Sequence, residues 1–151
     1  MSGAIVFRQG GPVAWKAVCQ EKTSLSTCEA EIQATNEDSK LLMAIRNFAS
    51  AFLGLGFPLP DFLQASKLYN DIEACVTWSN STTTKGVRHM ELKDNSVREW
   101  VHKEVIRVLH VAGKLNPSDI FTKEMRDGSH FRRLRDSFMS SVAAFRRGLI
   151  F

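Results

Sequence analysis

The sequence predicts an α/β protein, because strand-like and helix-like patterns alternate along the chain. Two short β-prone runs, GAIVF (3–7) and PVAWKAV (12–18), are separated by RQGG and predict a β-hairpin. Apolar residues then recur at helical spacing over residues 26–53, which predicts one long helix. Further strands are predicted at 66–71 and 105–111, with helical patterns between and after them. This order favours an α/β sheet.

Four helical patterns complete the predicted elements. Short or amphipathic patterns occur in IEACVTW (72–78) and MELKDNSVREWVHKE (90–104). The run NPSDIFTKEM (116–125) begins with residues typical of a helix start, and SHFRRLRDSFMSSVAAFRR (129–147) predicts a basic final helix. No internal repeat or low-complexity linker marks a domain boundary, so we expect one domain.

Composition limits the class of protein. The chain has 151 residues, 44% of them hydrophobic, which suffices for one modest core. No run approaches the roughly 20 apolar residues of a membrane helix, and the first residues lack a secretory-signal pattern, so we expect no membrane contact and an intracellular setting, cytoplasmic or nuclear. Cys19, Cys28 and Cys75 show no C-x-x-C pairing, which favours buried thiols over a zinc site or disulfides. A net charge of +4 is a weak indication of a polyanionic partner.

Three acidic residues stand where predicted strands and helices meet. Asp71 closes the strand 66–71, Asp119 lies in the first turn of the predicted helix 116–125, and Glu31 lies in the first turns of the long helix. Chemistry in α/β sheets gathers at such junctions. Two Mg²⁺ ions about 3.5 to 4 Å apart need carboxylates from different segments, so these residues are candidate metal ligands. The alternative is that they interact with helix dipoles, as charged residues at helix starts commonly do.

The combination of several short segments resembles the RNase H domain at the C-terminal end of copia-type retrotransposon polyproteins. The similarity covers about residues 2–138, and its segments are SLSTCEAEIQAT, LYND, VRHMEL, REWV and LNPSDIFTK. The resemblance implies an RNase H-like fold that cleaves the RNA strand of an RNA–DNA hybrid with two Mg²⁺ ions. It implies catalytic, metal-binding roles for Glu31, Asp71 and Asp119. Glu29, three residues after Ser26, is then expected to cap the helix.

The chain departs from this family at its start. The family's sheet begins with a central strand that carries the first catalytic Asp, and this strand would precede Ser2. We therefore expect an α/β, RNase H-like fold that lacks its first, central strand, formed by residues 1–138. Residues 139–151 are expected to be a basic extension. After Asp71 the family usually has Asn-Gln-Ser-Ala, whereas this chain continues Ile-Glu-Ala-Cys.

Basic residues in or near these segments are candidate substrate contacts: Arg88, His89, Lys123, Arg132 and Arg133. His89 is equally compatible with a structural role at a helix start, and a solvated helix face is the alternative for the arginines.

Two functions remain open from the sequence. The first is a retroelement remnant, catalytically inactive, that retains binding to RNA–DNA hybrid and binds Mg²⁺ weakly or not at all. The second is an active ribonuclease H whose first strand and Asp are supplied by the upstream reverse transcriptase region of a polyprotein or by a partner. Counting carboxylates favours the first, because a bridging ligand of the two metals is missing.

Overall fold

The computed structural model describes residues 1–19, 27–57, 59, 64–81 and 96–139. The chain divides into two compact units. The terminal unit consists of Met1–Glu21 with Ala112–Phe151, and the central unit is Lys22–Val111. Within the described ranges, no helix is both long enough and apolar enough to cross a membrane.

The terminal unit begins with the predicted β-hairpin, which is confirmed. Strand β1 (Ser2–Arg8) pairs antiparallel with β2 (Gly11–Val18), and Ile5 stands opposite Trp15. Gln9 and Gly10 form the connection with φ values of 49° and 78°. Two consecutive positive φ angles are the signature of a two-residue turn whose twist matches the flanking strands.

The helix predicted over 116–125 is wrong in kind and length. Two 3₁₀ helices occur instead, Gly113–Leu115 and Pro117–Phe121. Gly3 of β1 lies so close to this segment that a Cβ placed on it would be 2.6 Å from Thr122 Cγ2 and 3.0 Å from the Ser118 carbonyl oxygen. Strand β1 thus packs closely against this segment, which has the narrower, 3₁₀ form of helix. Helix α4 (Gly128–Met139) follows and forms the described part of the predicted 129–147 helix.

The central unit contains the other predicted elements. Helix α1 is Thr27–Gly54, close to the predicted 26–53, and strands β3 (Ser66–Asn70) and β4 (Ile106–His110) lie where strands were expected. The two strands pair in parallel, with Asn70 opposite His110. Parallel strands need a long connection, and α2 (Glu73–Asn80) and α3 (Ser96–His102) lie within it. Of the helix predicted over 90–104, residues 90–95 lie outside the described residues.

The apolar core of the central unit lies between the two parallel strands and the helices. Its buried members come from α1, α2, α3 and both strands: Ile32, Leu68, Cys75, Trp78, Val97, Ile106 and Val108. Along β4, Ile106 and Val108 are buried whereas Arg107 between them is exposed, as the two-residue period of a strand requires. The core thus fixes β4 with one face inward.

The fold class agrees with the prediction at a coarse level. The described residues combine helices and strands, and the strands form two two-stranded sheets, β1–β2 and β3–β4. The finer expectations, an RNase H-like fold without its central strand and a single domain over 1–138, stay predictions. Of the expected extension 139–151, only Met139 is described.

Candidate functional site

Glu31 reaches the carboxyl end of β3 from the second turn of α1. Asn70 is the last residue of β3, and its Nδ2 donates a hydrogen bond to Glu31 Oε2 at 3.3 Å. Asp71 is the next residue and is half-buried. The structure therefore brings the Glu31 carboxylate to the strand end that Asp71 follows. A metal-binding role for the two acids stays a prediction.

The same amide group connects the strand end to a buried thiol. Asn70 Nδ2 also donates to Thr35 Oγ1 at 3.0 Å, and Thr35 Oγ1 lies 3.2 Å from Cys75 Sγ. Burial raises the pKa of the Cys75 thiol to about 11. The thiol is therefore uncharged at neutral pH, and no second negative charge arises on Cys75 near Glu31.

The face of α1 that turns inward is unusually polar. Thr35, Asn36 and Ser39 are all buried, and each takes part in a hydrogen bond with a residue of the central unit. Ser39 Oγ donates to the Asn36 carbonyl oxygen at 2.7 Å, and Asn36 Oδ1 accepts from Ser96 Oγ at the start of α3. Buried polar groups cost free energy unless they are hydrogen-bonded, so these contacts make a polar helix face compatible with the core.

Asp119 belongs to the terminal unit. It lies in the 3₁₀ helix Pro117–Phe121 and is 8% exposed. Its Oδ2 accepts a hydrogen bond from Lys123 Nζ at 2.8 Å, and the Lys123 side chain is more than half exposed. The expected convergence of Asp119 with Glu31 and Asp71 stays a prediction. Lys123, expected as a substrate contact, here balances the charge of Asp119.

The other expected substrate contacts lie in α4 or outside the described residues. Arg132 and Arg133 are exposed on α4, and Arg133 Nη2 contacts His130 Nδ1 at 2.8 Å. Arg135, on the same helix, pairs with Asp136 at 2.7 Å. Arg88 and His89 lie outside the described residues, as does Ser26 of the expected helix cap.

The donors at the end of β3 suit a hard cation. Carboxylate and amide oxygens are the ligands that Mg²⁺ prefers, and Glu31 and Asp71 supply two carboxylates on neighbouring elements. Among the described residues, no group of three or more His, Cys, Asp or Glu side chains is arranged to hold a metal ion. Among the described residues of the central unit, Glu31 and Asp71 therefore have no third such side chain beside them that would complete a metal site.

The polar cluster of Asn70, Thr35 and Cys75 was not predicted from the sequence. One signal for it was present: Glu31, Thr35 and Ser39 recur at four-residue spacing, which places them on one helix face. Polar residues repeated on the face of a helix that must also bury Ile32 indicate a buried polar contact surface. The partner on β3 had no comparable local signal, because it lies 35 residues from Thr35 in the sequence.

Comparison with known proteins indicates the origin of the chain. The chain is 28% identical over 123 residues to the retrovirus-related Pol polyprotein from transposon TNT 1-94 of Nicotiana tabacum. This similarity supports a retrotransposon origin. The matched region is 81% of this chain but only 9% of that polyprotein. No protein-family model matches the chain, and no solved structure matches it.

Proposed function

We propose that the chain is an RNase H-like domain of a copia-type retrotransposon polyprotein, with Glu31, Asp71 and Asp119 as its metal ligands and an RNA–DNA hybrid as its substrate class. One observation carries the proposal: the Glu31 carboxylate is hydrogen-bonded at the carboxyl end of β3, next to Asp71. The similarity to a Pol polyprotein over most of the chain agrees with it. A pair of acids from a helix and a strand end is the kind of ligand set that two-metal phosphodiester hydrolysis uses.

The residues fit Mg²⁺ by their chemistry. Glu31 and Asp71 offer carboxylate oxygens, and Asp119 is the third carboxylate that the resemblance implies. When bound, a pair of Mg²⁺ ions would supply an activated water and stabilise charge at the phosphate that is cleaved. The role of the protein's own residues would be to hold the carboxylates in fixed orientations and to bind the phosphate backbone with basic side chains.

Ligand number favours binding without cleavage for the 151-residue polypeptide. The family uses a further Asp, from its first strand, to bridge the two ions, and these residues contain no counterpart of it. Two nearby cations repel each other, so loss of the bridging carboxylate weakens both sites. We propose that the polypeptide by itself retains hybrid binding and lacks cleavage. The alternative function is an active ribonuclease H whose fourth carboxylate comes from a preceding reverse transcriptase region or a partner.

A cleavage assay on a labelled RNA–DNA hybrid tests the proposal. The polypeptide alone is expected to give no cleavage with Mg²⁺ or Mn²⁺, whereas a fusion carrying a copia-like first strand with its Asp ahead of Ser2 should cleave. Glu31→Gln or Asp71→Asn in the fusion should abolish cleavage. Glu29→Gln is the matched control, because Glu29 lies in the first turn of the same helix and should be dispensable for the reaction.

Two outcomes would contradict the proposal. Robust Mg²⁺-dependent cleavage by the unfused polypeptide, lost on Glu31→Gln, would show that three acids suffice and would favour the active enzyme. A fusion that folds, binds hybrid and still does not cleave would remove the assignment of a ribonuclease site to these acids.

A further inference from the structure

Asn70 uses its whole side chain at the end of β3. Its Nδ2 donates to Glu31 Oε2 at 3.3 Å and to Thr35 Oγ1 at 3.0 Å. Its Oδ1 accepts a hydrogen bond from the Ile72 backbone N–H at 2.7 Å. A primary amide offers two N–H donors and one carbonyl oxygen, so each polar atom of this side chain has a protein partner.

The backbone of Asn70 is held as well. Its carbonyl oxygen accepts from Val111 N–H at 3.0 Å, which continues the parallel pairing of β3 and β4 by one step. The residue is 7% exposed, so its amide orientation is set by these partners more than by water. A side chain with three fixed partners and a paired backbone has little freedom to move.

We infer that Asn70 is a positioning residue that orients the Glu31 carboxylate and, through the turn closed by Ile72 N–H, the backbone of Asp71. One side chain then orients both acids that the proposed function places at this strand end. The positioning role rests on the contacts of Asn70, and only its purpose, the holding of metal ligands, rests on the proposed function. The bond from an amide N–H to a carboxylate is charge-assisted, and it fixes the direction of the Glu31 Oε2 atom. The bond to Ile72 N–H is an Asx turn, which fixes the backbone on both sides of Asp71.

Thr35 supports Asn70 from the other side. Its hydroxyl oxygen accepts from Asn70 Nδ2, and it also lies against Cys75 Sγ in the core. The orientation of the Asn70 amide is thereby connected to α1 and α2 together. Residues outside the first ligand sphere commonly change metal affinity by 10- to 100-fold when they are removed, because they orient the ligands.

The test compares three variants of the full polypeptide by NMR. Asn70→Ala removes every side-chain contact. Asn70→Asp keeps the shape and the acceptor for Ile72 N–H but removes the donors. Thr35→Val removes one acceptor of Asn70 Nδ2 but keeps the bonds of Asn70 to Glu31 and Ile72, so it tests the Thr35 support alone. The readouts are hydrogen exchange of the Ile72 amide, rotamer averaging of Glu31 from side-chain scalar couplings, and broadening of Glu31 and Asp71 signals by Mn²⁺.

Each variant has a distinct expected result. In Asn70→Ala the Ile72 amide should exchange about three- to tenfold faster, which corresponds to the loss of one hydrogen bond. In Asn70→Asp that amide should stay protected while Glu31 begins to average over rotamers. In Thr35→Val, which removes only the Thr35 support, Glu31 should average over rotamers less than in either Asn70 variant. Mn²⁺ should bind about tenfold more weakly to Asn70→Ala than to the unmodified chain.

The inference and the proposed function fail in different ways. An unchanged Glu31 rotamer in both Asn70 variants, or unchanged Ile72 exchange in Asn70→Ala, would overturn the positioning role even where Mn²⁺ binds. Absence of Mn²⁺ broadening in the unmodified chain would count against the proposed metal site, while exchange and rotamer data still decide the role of Asn70. If Asn70→Ala does not fold, Asn70→Asp, which preserves shape, gives the decisive rotamer measurement.

Discussion

The hydroxyl oxygen of Thr35 lies 3.2 Å from the thiol sulfur of Cys75, and both side chains are fully buried in the central unit. The contact joins α1 to α2 across 40 positions of sequence. Burial disfavours the thiolate, so the pKa of Cys75 rises to about 11 from an ordinary value of 9.0. This polar contact is therefore compatible with the core only while the thiol is protonated.

Alkaline pH is expected to destabilise the central unit through Cys75. The folded state holds the thiol proton more tightly than the unfolded state does, so this contribution is fully present below about pH 9. It is lost as pH rises through the folded pKa of about 11. The loss amounts to about 2 to 3 kcal/mol, since one pKa unit corresponds to 1.36 kcal/mol. Urea unfolding of the unmodified chain and of Cys75→Ala, at pH 8 and pH 10.5, measures most of this loss, because pH 10.5 is still below the folded pKa.

The comparison with Cys75→Ala separates the contribution of the Cys75 thiol to the pH dependence of stability from that of other groups that titrate at alkaline pH. Cys19 and Cys28 remain in the variant, so any pH dependence due to them appears in both proteins. Equal pH dependence of the two unfolding free energies would show that Cys75 does not titrate with a raised pKa.

Gly3 is expected to tolerate no side chain. A Cβ there would be 2.6 Å from Thr122 Cγ2 and 3.0 Å from both Phe121 Cβ and the Ser118 carbonyl oxygen, and part of this wall is backbone. Gly3→Ala should lower the free energy of unfolding of the terminal unit by about 1 to 3 kcal/mol, the usual cost of overpacking. Gly11→Ala in the same hairpin is the control, because its nearest neighbouring atom would be 4.0 Å away.

Thermal unfolding followed by circular dichroism compares the two glycine variants. The unfolding midpoint of Gly11→Ala should be close to that of the unmodified chain. The midpoint of Gly3→Ala should be clearly below both. Equal midpoints for the two variants would mean that β1 can shift away from the 3₁₀ helix at little cost.

Arg98 is expected to stabilise the central unit although it carries a buried charge. It is 7% exposed, its Nη2 donates to the Ser81 carbonyl oxygen at 2.6 Å, and its guanidinium carbon lies 5.2 Å from the centre of the Trp78 ring. Arg98→Ala should lower the free energy of unfolding by about 2 to 3 kcal/mol, from a charged hydrogen bond and the cation–π contact.

Two further substitutions separate the contributions at Arg98. Arg98→Lys keeps the charge but loses the planar group that donates twice to Ser81, so it should recover only part of the stability. Lys103→Ala is the control from the same region, since Lys103 pairs with Glu99 on the surface and exposed pairs contribute little. Denaturant titrations measure the free energy of unfolding of each variant. A loss of stability from Lys103→Ala as large as that from Arg98→Ala would contradict the proposed contribution of Arg98.

The sequence predicted those elements whose signal is local. The hairpin 3–7 with 12–18 was predicted from β-prone runs and turn residues, and the long helix and the strand 105–111 from a period of 3.6 or 2 within a few residues. The helix predicted over 116–125 was wrong because its start signals, including Pro117, specify how a turn begins but not which kind of helix follows or how long it is.

The candidate site could be predicted only in part for the same reason. Asp71 was proposed as a metal ligand from its place at a strand end, and Glu31 from a motif, and each of these signals lies within a few residues of sequence. The hydrogen bond that joins Asn70 to Glu31 spans 39 positions, and no local period indicates it. Such contacts depend on which side chains meet after the strands and helices have packed.

The arginines of α4 give the final prediction, which concerns nucleic-acid binding under the proposed function. Arg132 and Arg133 are exposed, and a guanidinium has five N–H donors, so the contact of Arg133 with His130 leaves donors for phosphate. If both residues contact the backbone of a hybrid, the double variant Arg132→Ala, Arg133→Ala should bind more weakly. The slope of log affinity against log salt should fall by about 0.7 to 0.9 for each phosphate that an arginine no longer neutralises.

Arg135→Ala is the matched control, because it removes the same charge from the same helix while Arg135 is already paired with Asp136. Fluorescence anisotropy with a labelled RNA–DNA hybrid, at several salt concentrations, measures all three proteins. We expect a reduced slope for the double variant and a nearly unchanged slope for Arg135→Ala. Equal effects per arginine would indicate a general loss of positive charge, and an unchanged slope in the double variant would place the hybrid away from α4.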